Sequence, residues 1–145
     1  MPCKEEQDLF APVVQYFEQQ GCIVASEVRI GFCRADIIAF HSDGVVSAVE
    51  LKLADWKKAI VQAKNYQLAA DYVYLAFPSN KQRLVLERAE AELRKKGIGL
   101  FSIEEKTLEI EKVISAKRSI QKFGTLTIDE VWMQRTKHQR IKRRR

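Results

Sequence analysis

The sequence predicts an α/β fold (α+β by a stricter count), with a mixed central sheet flanked by helices. Three observations carry this. One helical run precedes three strand-like runs. A second helical run leads to a fourth strand-like run, and a charged helical run then precedes a small β end. The order αβββαβ, followed by a helix and that β end, suits a mixed sheet with helices on its faces. At 145 residues the chain is the size of one domain and long enough to bury a core.

Each element has a local reason. From about Glu5 to Gln20, Leu9, Val13, Val14, Tyr16 and Phe17 recur at helical spacing, and Gly21 stops the run. Pro12 is compatible with a first turn, so the helix starts late or bends near its beginning. Cys22 to Ile30, Arg34–Phe40 and Val45–Leu53 read as strands, the last two joined by His-Ser-Asp-Gly, with Asp43-Gly44 as a hairpin signal. Asp55 can cap a helix through about Ala70, with Trp56, Ala59, Ile60 and Ala63 on its core side. Tyr72–Phe77 reads as a buried strand, a charged helix runs from about Ser79 to Lys96 and closes at Gly97, and Ile98–Ile103 and Leu108–Ser115 are short strands. Thr127-Ile-Asp-Glu130 resembles a capping box that opens a last helix.

Charge divides the chain. The net charge is +6, yet residues 117–145 hold ten Lys or Arg against Asp129 and Glu130, which leaves the first 116 residues slightly negative. The expected organisation is therefore a body, 1–116, and a basic extension, 117–145, partly helical or disordered. Such a tail suits a polyanion, most simply nucleic acid. Three cysteines (Cys3, Cys22, Cys33) without Cys-x-x-Cys spacing, and only two histidines, argue against a zinc module or a disulfide framework. The expected setting is a reducing cytoplasm without membrane attachment, since no apolar signal core or run of ~20 apolar residues is present.

The hairpin Arg34–Leu53 carries the chemistry. Val46 and Ala48 are apolar near the turn, and the same parity becomes charged at Glu50 and Lys52. Ile38 and Phe40 mirror this, giving way to Asp36 and Arg34. Strand residues two apart share a face, so Glu50 and Lys52 project together. An effective loop of about three residues sets Asp36 opposite Glu50, with Cβ atoms ~5 Å apart; other loop lengths separate them. A solvated face would alternate along its whole length, whereas here both faces are apolar near the turn. The structural alternative is an ion pair of Glu50 with Lys52 or Arg34. Two close carboxylates also suit Mg²⁺, which keeps waters and leaves room for a phosphate oxygen. An adjacent ammonium can steer an attacking water and stabilise developing negative charge. These residue types fit phosphodiester hydrolysis.

Arg34-Ala-Asp36-Ile-Ile together with Glu50-Leu-Lys52, with thirteen residues between Asp36 and Glu50, resembles the motif of the PD-(D/E)XK nuclease superfamily, whose fold is restriction-endonuclease-like. Gln62-Ala-Lys-Asn-Tyr66 is similar to the Gln-Ala-x-x-Tyr helix of many members, and Ala70–Pro78 to the strand that follows it; the likeness spans about Glu5 to Pro78. Ala35 stands where a proline is usual. The resemblance implies an endonuclease in which Asp36 and Glu50 hold Mg²⁺ (Mn²⁺ as an alternative), the Leu51 carbonyl completes the shell and Lys52 positions water. It further implies Gln62 orienting Lys52 or a phosphate, Tyr66 lining the same edge, and a first-helix glutamate, for which Glu6 is preferred over Glu5 and Glu18.

DNA is the expected partner, RNA the other polyanion, with backbone contacts from Tyr66 and from Lys137, Arg140, Lys142, Arg143, Arg144 and Arg145. Cutting both strands of a duplex commonly takes two sites, which points to a homodimer. Trp56, Ile60 and Ala63 are expected in the core, His41 as decoration of the turn and Cys33 as a packed side chain, while Lys57, Lys58 and Lys64 suit either a solvated helix face or contacts with a phosphate backbone. The rival readings are a binding module of the same fold that does not cut, and a small RNA-associated protein acting through its tail.

Overall fold

The computed structural model describes residues 5–120, 122, 124, 126–131, 133 and 134. A 3-10 turn (Glu6–Leu9) enters helix α1 (Phe10–Glu18), followed by strands β1 (Ile23–Ile30), β2 (Cys33–Phe40) and β3 (Val46–Leu51). Helix α2 (Trp56–Tyr66), strand β4 (Tyr72–Pro78), a 3-10 turn (Ser79–Lys81), helix α3 (Gln82–Lys96) and strands β5 (Gly99–Ile103) and β6 (Ile110–Ile114) complete the order. The fold is mixed α/β. One six-stranded sheet runs β1-β2-β3-β4-β5-β6; β3–β4 and β4–β5 are parallel, and the other neighbours are antiparallel.

Local chemistry sets the element ends. Pro12 lies in the first turn of α1, where its missing N–H costs nothing, so the helix starts late rather than kinking. The Asp55 side chain caps α2 by accepting from the Lys58 N–H. That helix ends at Tyr66, earlier than its apolar spacing suggested, because residues 67–69 tighten into turns that aim Ala70 at the core. Gly97 closes α3 with a φ of 73°. The Thr127–Glu130 capping box forms reciprocally, each backbone N–H donating to the other's side chain at 3.2 Å.

Apolar residues fill both faces of the sheet. Leu9, Val13 and Phe17 pack with Ile37, Ala39, Val49, Leu51 and Phe101 on the α1 face. Ala59, Ile60, Ala63, Val85, Ala89 and Leu93 from α2 and α3 pack with Ile38, Ala48, Val73 and Leu75 on the other. All six residues of β3 are buried, as expected of a strand covered on both sides. At Gly99 a Cβ would lie 2.3 Å from the Tyr74 ring and 2.8 Å from the Ile114 carbonyl. Tyr74 cannot yield easily, being stacked on Phe101 at 4.3 Å. Gly99→Ala is expected to cost roughly 1–3 kcal/mol by overpacking, seen as a lower midpoint in urea unfolding; an unchanged midpoint would refute the steric argument.

The described part of the basic extension is joined to the body. Leu126 and Val131 are buried in the α2–α3 core, and the backbone N–H groups of Lys117, Ser119 and Leu126 donate to Gly97, Asp71 and Ala69 carbonyls. Arg118 and Lys122 both reach the Asp71 carboxylate. Among the described residues, no helix is long and apolar enough to cross a membrane.

Candidate active site

The β2–β3 turn fixes the register on which the site depends. The His41 N–H donates to the Val45 carbonyl at 2.9 Å, leaving residues 42–44 as the effective loop. The ladder then runs Phe40↔Val46 to Ile37↔Val49, and one step further along the same register Asp36 faces Glu50. Backbone pairing stops there and the strands part. The Lys52 N–H donates to Ala76 on β4, so alternation turns the N–H and C=O of Leu51 toward β2. Its N–H donates to Asp36 Oδ2 at 2.7 Å.

The other side of Asp36 is irregular. β1 pairs Ser26 with Ile37 and Val28 with Ala35 but skips Glu27 opposite Asp36, and Glu27 has a φ of 52°. Ala35 packs with the α2-side core, while Ile37 packs with the α1-side core. Face alternation therefore breaks at Asp36, as it does at a β-bulge. Val28, Ile30, Cys33 and Ala35 share the α2-side core, which sends Arg34 to the opposite face. This corrects the expectation from parity, which put Arg34 and Asp36 on one face.

Glu50 is 4% exposed and held at both oxygens. Tyr66 Oη donates to Oε1 at 2.7 Å, and Lys52 Nζ lies 3.6 Å from Oε2. Tyr66 also reaches the Arg34 carbonyl at 2.7 Å. One hydroxyl proton cannot serve two acceptors. A neutral Glu50 satisfies both contacts, donating to the Tyr66 oxygen while Tyr66 donates to Arg34. Electrostatics agrees: burial, then repulsion from Asp36, pushes the Glu50 carboxyl up to about 7 against the opposing pull of Tyr66 and Lys52. Burial likewise raises Asp36, with the Leu51 N–H opposing and Glu6 adding repulsion.

Asp36, Glu50, Lys52 and the Leu51 backbone thus meet at the parted end of β2 and β3. Glu6 is exposed but close enough to act on Asp36, because its 3-10 turn packs against β3 and β4. Gln62 stands one helical turn before Tyr66 on α2, and its Oε1 is buried without a hydrogen-bond partner among the described residues. Tyr66 itself is fully buried beneath Glu50. It cannot touch a nucleic-acid backbone there, which corrects that expectation: its ring fills the α2-side core. Lys137, Arg140, Lys142, Arg143, Arg144 and Arg145 lie outside the described residues.

His41 is more than turn decoration, since its ring nitrogens contact Cys22 Sγ at 3.2 Å and Ser47 Oγ at 2.9 Å. Cys22 and Cys33 are free thiols. Asp71, 1% exposed, is a buried carboxylate that sequence reading passed over. Its position at the entry to an apolar strand was the only available signal. Among the described residues no three His, Cys, Asp or Glu side chains converge as a metal cluster.

No protein-family model and no curated protein matches the chain. Among solved structures it is similar to SPO1766, a protein of unknown function from Silicibacter pomeroyi, with a TM-score of 0.65 and 16% identity over 99% of this chain and 94% of that one. At that identity the likeness concerns the fold alone.

Proposed function

We propose that this protein is a metal-dependent endonuclease of restriction-endonuclease-like fold that hydrolyses DNA phosphodiester bonds. The observation that carries the reading is the meeting of two carboxylates, Asp36 and Glu50, with the single ammonium of Lys52 where β2 and β3 part. The two acids, when ionised, outweigh one cation, and Glu6 adds to the imbalance. A divalent cation offsets such an excess. The donor set also fits Mg²⁺, which takes one or two carboxylates, a carbonyl and waters rather than a complete protein cage.

Asp36, Glu50 and the Leu51 carbonyl would hold Mg²⁺, or Mn²⁺ in its place. When bound, the ion supplies Lewis-acid polarisation of a phosphoryl oxygen and a more acidic water. The Lys52 ammonium, already drawn toward Glu50, orients the attacking water and balances charge on the phosphate. Gln62 Oε1, unpartnered among the described residues, is an acceptor ready for that ammonium or that water. Tyr66 fixes the Glu50 carboxyl from below.

Plasmid or branched DNA incubated with Mg²⁺ should be cut by the wild-type protein, and at least ~100-fold more slowly by Asp36→Ala and Lys52→Ala. Equal rates in all three proteins would rule out the assignment. One observation favours a second reading, a binding module of the same fold without turnover: both Glu50 oxygens already have protein partners. That reading predicts salt-sensitive DNA binding, no Mg²⁺-dependent cleavage, and little effect of Glu50→Gln on binding.

A further inference from the structure

The β1–β2 hairpin tip presents an aromatic ring to solvent. Phe32, at its apex, is 99% exposed, although burying such an apolar side chain would be favourable. The tip behind it is fixed. Gly31 has a φ of 59°, and a Cβ there would lie 2.7 Å from Asn65 Oδ1. Asn65 Nδ2 donates to the Ile30 carbonyl at 2.6 Å, tying the tip to α2. A rigid mount for an exposed ring is wasteful unless something covers the ring.

The charges around it identify what does. Arg29 and Arg34 are direct cross-strand partners, both exposed, and neither has an ion-pair partner among the described residues. Like charges placed opposite each other are destabilising, and an anion between them removes the cost. Arg29 is also where the C-terminal segment is fastened: its N–H donates to Gln134 Oε1 at 3.1 Å, and Gln134 Nε2 donates to its carbonyl at 3.3 Å. The basic run of the sequence begins at the next residue. Phe32, in the turn just before β2, stands four residues from Asp36, roughly 13 Å of strand; Arg34 lies on the other face from Asp36, so a held strand reaches the site around the β1 edge of the sheet. Stacking rings beside backbone-holding cations suit single-stranded nucleic acid, because every base offers a π-face.

We propose that the β1–β2 tip is a clamp for single-stranded DNA, Phe32 stacking on an unpaired base while Arg29 and Arg34 hold the flanking phosphates. It deepens, and rests on, the nuclease reading: the substrate is DNA with unpaired nucleotides beside the scissile bond. The clamp acts without the metal site, so the two can fail separately.

The test is fluorescence anisotropy of the full-length protein in EDTA, with a single-stranded oligonucleotide and a duplex of equal length. Phe32→Ala should weaken single-strand binding about tenfold and leave duplex binding within about twofold, while Phe32→Trp should restore it and show quenched fluorescence on binding. Because the ring touches little of the protein, the melting temperature should not move. Unchanged single-strand affinity, or equal losses on both DNAs, would overturn the clamp. So would a mutant whose loss accompanies conversion of a dimer to a monomer in sedimentation, since a second copy would then be what covers Phe32. Lack of cleavage by the wild-type protein would count against the nuclease reading and leave this binding result intact.

Discussion

Glu50→Gln is expected to raise the melting temperature of the metal-free protein at pH 8 and to abolish its response to Mg²⁺. The folded protein holds the Glu50 carboxyl at about 7, above the ordinary 4.5, through burial and the neighbouring Asp36. A carboxyl whose folded value is raised favours folding fully at a pH below its unfolded value. That advantage is lost as pH rises through the folded value. Stability should therefore fall between about pH 4.5 and 7 and stay low above it. Converted by linkage, a shift of this size is ~3 kcal/mol, several degrees for a domain of this length.

Glutamine removes the ionisation while keeping the shape. Its amide can donate to the Tyr66 oxygen, and Tyr66 can then donate to the Arg34 carbonyl, which reproduces the neutral arrangement. On the proposed metal-dependent reading, Mg²⁺ would act on the wild type in the opposite sense: held by the ionised carboxylate, it should raise the melting temperature at pH 8 more than at pH 5. Calorimetry at both pH values, with EDTA and with excess Mg²⁺, checks all of this. A variant no more stable than wild type at pH 8 would show that Glu50 is not a buried, strained acid.

Asp71→Asn is expected to destabilise the fold strongly and to loosen the segment after Ala116. The Asp71 carboxylate accepts from the Val46 N–H at 2.8 Å and pairs with Arg118 at 3.3 Å and with Lys122. Burial pushes this carboxyl up, yet the Lys122 and Val46 bonds and the Arg118 charge outweigh it and hold it below its usual range. Its contribution is therefore present at neutral pH and disappears as pH falls through the folded value. Removing one member of a buried charge cluster typically costs about 3–5 kcal/mol. Partial exposure of Arg118 puts the expectation at the lower end, since solvent screens that pair. Trypsin should then cut sooner after Lys117, Arg118 or Lys122. Wild-type proteolysis rates together with an unchanged melting temperature would refute the latch.

The two residues differ in how far they could be read from the sequence. Glu50 was legible because its neighbours are local. The His-Ser-Asp-Gly turn sets the register, and alternation then brings Asp36 opposite. Asp71 was not, because its partners stand 25, 47 and 51 residues away. Tyr66 is intermediate: its helix was recognisable, but the 2.7 Å bonds that make it a support beneath Glu50, rather than a contact for DNA, join α2 to two strands.

The amino-acid order alone settled the succession of elements, the Asp55 cap, the Gly97 stop and the Thr127–Glu130 capping box. Each depends on residues within a few positions of one another, where backbone geometry leaves few choices. Folding in three dimensions decided the break in alternation at Asp36, the latch on Asp71 and the fixing of Gln134 to the β1 edge. These depend on which distant backbone and charged groups come to share a desolvated space, and no short-range period in the chain encodes that.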